Sequence, residues 1–199
     1  MVVIGITGSI GMGKTIVGKM FRTQGIPVFD ADKAIHRLFS ENHIKNKIAE
    51  LFPKALVSGK IDRRILMSHI LNSPEDLFIL EDILHPKVWE MAYQFIDRHN
   101  RNHTPIIALD IPLLFEVGGE VLCDATVVAT APAAIQQARV LRRSGMTPEH
   151  FKTFLTRQMD DAEKRSRADF LIYTGLSRRE IYNQVNGIIT SLQPTKRHS

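Results

Sequence analysis

The segment GITGSIGMGKT, Gly5 to Thr15, constrains this chain more than any other. Glycines at 8, 11 and 13 run straight into Lys14 and Thr15, and the hydrophobic run VVIGI comes directly before them. Glycine permits backbone angles that turn successive N–H groups inward, and a helix starting where the loop ends offers its unpaired N–H groups and positive dipole end. Gly8 to Thr15 satisfies the whole pattern G-x-x-x-x-G-K-[ST], which predicts a strand, a loop that cradles the phosphates of a nucleotide, and a helix. The candidate nucleotide-binding residues are therefore Gly8, Ser9, Ile10, Gly11, Met12, Gly13, Lys14 and Thr15. Lys14 would reach the β- and γ-phosphates, and the Thr15 hydroxyl would ligate Mg²⁺, a hard cation that prefers oxygen.

The flanking sequence agrees. MVVIGIT reads as a buried strand, and KTIVGKMFRTQG has helical spacing through Ile16, Val17, Met20 and Phe21, with Gly25 as its C-terminal cap. IPVFD is a second strand, so strand, loop, helix and strand open a parallel α/β sheet. From Ala31 to about His103 the sequence shows no second convincing buried strand. It shows helical stretches instead, DKAIHRLF, HIKNKIAELF, RRILMSHIL and a long one whose Pro86 is expected to start a new helix or kink one. So large a helical insert between strands predicts a subdomain. TPIIALDIPLLFE, ATVVATA and DFLIY return to strand character, basic helical segments lie before the last of these, and SRREIYNQVNGIITSL closes as an amphipathic helix. TKRHS reads as a frayed tail.

A chain of 199 residues has room for one substantial core, with or without inserted subdomains. Hydrophobic residues at 44% and charged residues at 24% fit a soluble globular protein, and no apolar run approaches a membrane span or a cleavable signal. A cytoplasmic location with no membrane partner follows as the expectation. The single cysteine, Cys123, in VLCDATVV, reads as a buried inert thiol. The formal net charge of +5 comes from the last third, where residues 131–199 carry 12 Lys and Arg against 6 Asp and Glu. ARVLRRSG and AEKRSR hold part of that excess, with no aromatic interleaving of the kind that accompanies nucleic-acid binding. A local anion-handling surface and a solvated helix face both account for it.

Phosphoryl transfer to a hydroxyl needs a carboxylate beside the acceptor oxygen, and FDADKAIH puts Asp30 and Asp32 at the end of the second strand, the edge where open α/β sheets bind ligands. Helix capping would explain one of the two aspartates, less comfortably both. His36 stands one helical turn after Asp32. Asp110 ends the strand IIALD, where an acidic residue can hold Mg²⁺, or can simply begin a turn. Arg139 and Arg143, four apart in ARVLRR, would share one side of a helix able to close over ATP and exclude water. An N-K-x-D loop late in the sheet, the mark of guanine selection, is not found; Asn46-Lys47 is followed by Ile-Ala.

Taken in order, GITGSIGMGKT, FDADKAIH, ILHPKVW, LDIPLLFE, QQARVLRRSGMT, RQM and ADFLIYTG resemble the dephospho-coenzyme A kinase family from about residue 2 to residue 190. The resemblance implies ATP-dependent phosphorylation of the ribose 3′-hydroxyl of dephospho-CoA, giving coenzyme A and ADP with Mg²⁺. It implies a P-loop core with a five-stranded parallel sheet flanked by helices, a helical acceptor-binding subdomain and a helical lid. These fall on core residues near 1–31, 104–138 and 168–195, an acceptor subdomain near 32–103 and a lid near 139–167. It places the proposed base on Asp32, acceptor contacts on Asp32, His36 and His85, and the lid arginines on Arg139 and Arg143. Lys14 completes the catalytic set, and Thr15 and Asp110 the metal set. The expected partner is dephospho-CoA rather than a nucleic acid, for a monomer or small homo-oligomer. Two departures stand out: Thr15 where serine is usual, and Tyr173-Thr174 in ADFLIYTG where the family pattern often has Asp-Asn. A nucleoside monophosphate kinase, or a nucleotide-dependent regulatory or nucleic-acid protein, is the competing reading, separated by acceptor choice.

Overall fold

The computed structural model describes residues 1–193. The tail TKRHS and His198 lie outside them.

The chain divides into two compact units, Met1–Asp30 with the chain from Ile96 on, and Ala31–Phe95. In the first, β1 (Val2–Thr7) leads through the glycine loop into α1 (Lys14–Thr23) and then β2 (Val28–Asp30). Gly25 follows α1 with φ 78° and donates its N–H to the Arg22 carbonyl, which ends the helix as a glycine in the left-handed region does.

The second unit holds α2 (Ala31–Leu38), α3 (Asn42–Leu51), the two-residue strands β3 (Leu56–Val57) and β4 (Lys60–Ile61), α4 (Arg63–Asn72) and α5 (Pro74–Arg101) up to Phe95. α3 and α4 both pack against a 3₁₀ turn at Pro53–Ala55. β3 and β4 form an antiparallel hairpin that the sequence reading did not name; its residues are exposed or half-buried, so it is not a second buried strand. Its turn is Ser58-Gly59, both at positive φ, the geometry of a tight hairpin turn. Of the two outcomes expected of Pro86, a new helix start is excluded, because α5 runs unbroken through it.

The chain re-enters the first unit and continues with β5 (Ile106–Asp110), β6 (Ala125–Thr130), α6 (Ala133–Leu141), α7 (Pro148–Thr156), α8 (Asp161–Arg167), β7 (Phe170–Tyr173) and α9 (Arg178–Leu192). The five strands form one parallel sheet in the order β2-β5-β1-β6-β7. β5 and β6 are buried at every position and β1 at all but its first, the pattern of parallel strands covered on both faces. Val17 and Phe21 of α1 and Ile181, Val185, Ile188 and Ile189 of α9 cover one face together with Ile4, Ile6, Ala108 and Val127 of the sheet. α9 begins with a capping box in which Ser177 and Glu180 satisfy each other's backbone N–H groups. β1 is the central strand, so the glycine loop leaves the middle of the sheet at its C-terminal edge, between the ends of β5 and β6.

Lys164 of α8 is fully buried, 2.8 Å from a carboxylate oxygen of Glu116 in the loop after β5. The contact is charge to charge rather than a well-aligned hydrogen bond, and the same oxygen accepts the Met159 N–H.

Candidate active site

α1 starts at Lys14 directly after Gly13, which occupies the N-cap position in the left-handed region (φ 89°) and offers no side-chain cap. The first turn of α1 carries no acidic residue. No side chain therefore caps this end, and although the Ile16 N–H already bonds the Gly13 carbonyl at 3.0 Å, the positive dipole end is not neutralised by the chain's own carboxylates and suits an external anion. Glycine is required at 13 for a second reason: a Cβ there would lie 2.6 Å from the Thr174 hydroxyl oxygen.

Beside the loop, β5 and β2 end in register at Asp110 and Asp30. Lys14 Nζ donates to Asp110 at 2.7 Å, and Arg22 donates to Asp30 at 3.1 Å. Cations and carboxylates thus alternate along the sheet edge. Burial holds the Asp110 carboxyl above its ordinary value, aided by nearby Asp30 and opposed by Lys14. Asp110 fits there because α1 carries glycine at 18, where a Cβ would stand 2.6 Å from the other Asp110 oxygen. Thr15, the second residue of α1, is exposed.

Behind the loop stand side chains to which the sequence reading gave no role. Gln136 Nε2 donates to the Ile10 carbonyl at 2.8 Å, and the Ile10 N–H donates to Gln158 Oε1 at 2.9 Å. The Thr174 hydroxyl donates to the Met12 carbonyl at 2.6 Å. Arg139 differs from its expected setting on a closing helix. Its Nη1 donates to the Thr174 hydroxyl at 3.0 Å and the Gly11 carbonyl at 3.4 Å, and its Nη2 to the Thr174 carbonyl at 2.7 Å. Arg143 does not share a helix face with it, since α6 ends at Leu141 and a tight turn follows in which the Arg143 N–H bonds the Val140 carbonyl. Arg143 is exposed. QQAR and RQM were visible in the sequence, but only the fold brings Gln136, Arg139 and Gln158 to the loop.

In the second unit, Asp32 is the second residue of α2 and His36 lies one turn later on the same face. Arg63 approaches His36 Nδ1 at 3.3 Å. His85 is half-buried on α5, immediately before Pro86. The structure thus gathers Lys14, Thr15, Asp110 and Arg139 in the first unit, while Asp32, His36 and His85 belong to the second. Cys123, packed where a Gly5 Cβ would fall, has its thiol pushed up to about 12, first by burial and then by Asp124 and Glu120. It is an inert packing residue.

A central strand running through a glycine loop into an uncapped helix, in a five-stranded parallel sheet, defines a P-loop α/β protein. A shikimate kinase structure from Bacteroides thetaiotaomicron shares this fold, with a TM-score of 0.54 at 16% identity over 96% of this chain and 98% of that one. The family model described as dephospho-CoA kinase matches residues 2–177. A dephospho-CoA kinase from Brucella melitensis is 45% identical over 192 residues, 96% of each chain. The structure of a dephospho-CoA kinase from Campylobacter jejuni superposes with a TM-score of 0.71 at 28% identity, covering 96% of each chain. The chain belongs to the dephospho-CoA kinase family.

Proposed function

We propose that this protein transfers the γ-phosphoryl group of ATP to the ribose 3′-hydroxyl of dephospho-CoA, releasing coenzyme A and ADP, as a cytoplasmic enzyme of coenzyme A synthesis. The observation that carries the proposal is the uncapped N-terminus of α1, with Lys14 at its first position and no acidic residue in its first turn.

The loop N–H groups and Lys14 bind the β- and γ-phosphates. Lys14 is held at the sheet edge by Asp110 until the triphosphate competes for its charge. The donors available for Mg²⁺ are hard oxygens, the Thr15 hydroxyl and the Asp110 carboxylate, and no group of three or more His, Cys, Asp or Glu suited to a metal exists among the described residues. This donor set fits an ion that takes few protein ligands and keeps water and substrate phosphates as the rest. When bound, Mg²⁺ would neutralise charge on the phosphates. Asp32 orients the acceptor hydroxyl and receives its proton, and His36 and His85 contact the acceptor. Arg143, on the exposed segment leading into α7, closes over the transferred group and excludes water. Arg139 acts from behind the loop.

The test is ADP release from Mg-ATP with dephospho-CoA, AMP, CMP or no acceptor in parallel. Release only with dephospho-CoA, with a product one phosphoryl group heavier, is expected. Release with a nucleotide, or equally without acceptor, would overturn the proposal.

A further inference from the structure

Three consecutive carbonyls of the glycine loop are each held from behind by a side chain: Ile10 by Gln136, Gly11 by Arg139 and Met12 by Thr174. A peptide unit is planar and trans, so its C=O and N–H point in opposite directions. Fixing these three carbonyls therefore aims the N–H groups of Gly11, Met12 and Gly13 to the other side. The Met12 N–H bonds the Ser9 carbonyl at 3.0 Å within the loop, while among the described residues the Gly11 and Gly13 N–H groups have no protein acceptor.

We propose that Gln136, Arg139 and Thr174 form a positioning set that keeps the loop carbonyls turned away from the anion site, so that the loop is ordered for a triphosphate before one arrives. The inference rests on the reading of this loop as the ATP phosphate site. A carbonyl oxygen that swung toward a phosphate would repel it, and a loop with three unfastened peptide units would pay for their ordering on binding.

Thr174 is the keystone. It is 1% exposed, and its N–H is fixed by the Thr130 carbonyl at 2.8 Å. Its hydroxyl accepts from Arg139 at 3.0 Å, which leaves its single proton for Met12. Gly13 then sits against it without a Cβ. The departure from the family pattern at this position thus falls on a side chain with a definable task. Gln136 and Arg139, three apart on α6, reach the two preceding carbonyls from one helix face.

The experiment compares wild type with Thr174→Val, Thr174→Ser and Gln136→Met. It measures calorimetric affinity for inorganic tripolyphosphate, KM for ATP, KM for dephospho-CoA, kcat and melting temperature. Thr174→Val and Gln136→Met should each weaken tripolyphosphate and raise KM for ATP roughly three- to tenfold, the worth of one hydrogen bond. KM for dephospho-CoA should stay within about twofold, and Thr174→Ser, which keeps the hydroxyl, should restore both values. A merely structural role would lower the melting temperature without separating the two KM values. Wild-type ATP and tripolyphosphate behaviour in Thr174→Val, an equal rise in both KM values, or failure of serine to restore would overturn the inference. If Thr174→Val does not fold, Gln136→Met carries the same comparison. Wild type failing to bind tripolyphosphate would overturn the phosphate-site reading itself, a result distinct from an unaffected variant.

Discussion

Asp32 and Asp30 lie two residues apart, yet they have different settings. Asp30 ends a strand and bonds Arg22, whereas Asp32 sits in the first turn of α2. With Asp32 as the base, replacing its carboxylate by an amide of the same shape removes proton acceptance and the negative charge while leaving the nucleotide loop untouched. Asp32→Asn should lower kcat by roughly 10²–10⁴-fold while ATP affinity stays near wild type. A loss of ATP affinity as large as the loss of turnover, by calorimetry against kcat, would remove Asp32 from that role. The glycine loop was legible because Gly8 to Thr15 is a contiguous pattern whose chemistry depends on neighbours in sequence. The residues behind the loop were not. Gln136, Gln158 and Thr174 meet it from 126, 148 and 162 positions away, and nothing local in QQAR, RQM or YTG says which carbonyl each will reach.

Among the elements, β1, α1, β2, β5, β6 and β7 were readable from apolar runs and their turn signals, since strands buried on both faces must be apolar throughout. The hairpin of β3 and β4 escaped because two-residue strands carry no period, leaving Ser58-Gly59 as its one sign. α5 reads as helical in the sequence, which leaves open whether Pro86 divides it; the single helix tolerates one lost bond where the turns around it hold. That tolerance has a cost. Pro86 cannot donate to the carbonyl one turn back, while its ring restricts the unfolded chain. Pro86→Ala should therefore raise stability by about 2 kcal/mol, the helical gain less the lost unfolded-state restriction, and with it the melting temperature. An unchanged or lower melting temperature in thermal unfolding would mean that the helix depends on the proline.

At the scale of the molecule, the loop, Lys14 and the carboxylate edge all belong to the unit built on the five-stranded sheet. Nucleotide bound there is linked to the folding of that unit. With Mg-ATP at a hundredfold excess over its Kd, the sheet unit should gain about 2.7 kcal/mol, read as a concentration-dependent rise in melting temperature. Tripolyphosphate at the same multiple of its own Kd should give the same gain, and adenosine at a matched concentration a much smaller one. Equal shifts from ATP and adenosine would mean that the phosphates are not what the loop holds. No described helix is long and apolar enough to cross a membrane.

Lys164 and Glu116 give the molecule a different kind of constraint. Losing Glu116 strands a fully buried ammonium in the interior at roughly 3–5 kcal/mol, losing Lys164 leaves a partly exposed carboxylate that still accepts the Met159 N–H at a smaller cost, and exchanging both for apolar residues can cost little. The two positions are therefore inherited with a direction: Glu116 can leave only with Lys164 or after it, because a chain that loses the carboxylate alone is reduced in abundance before its chemistry is ever tried.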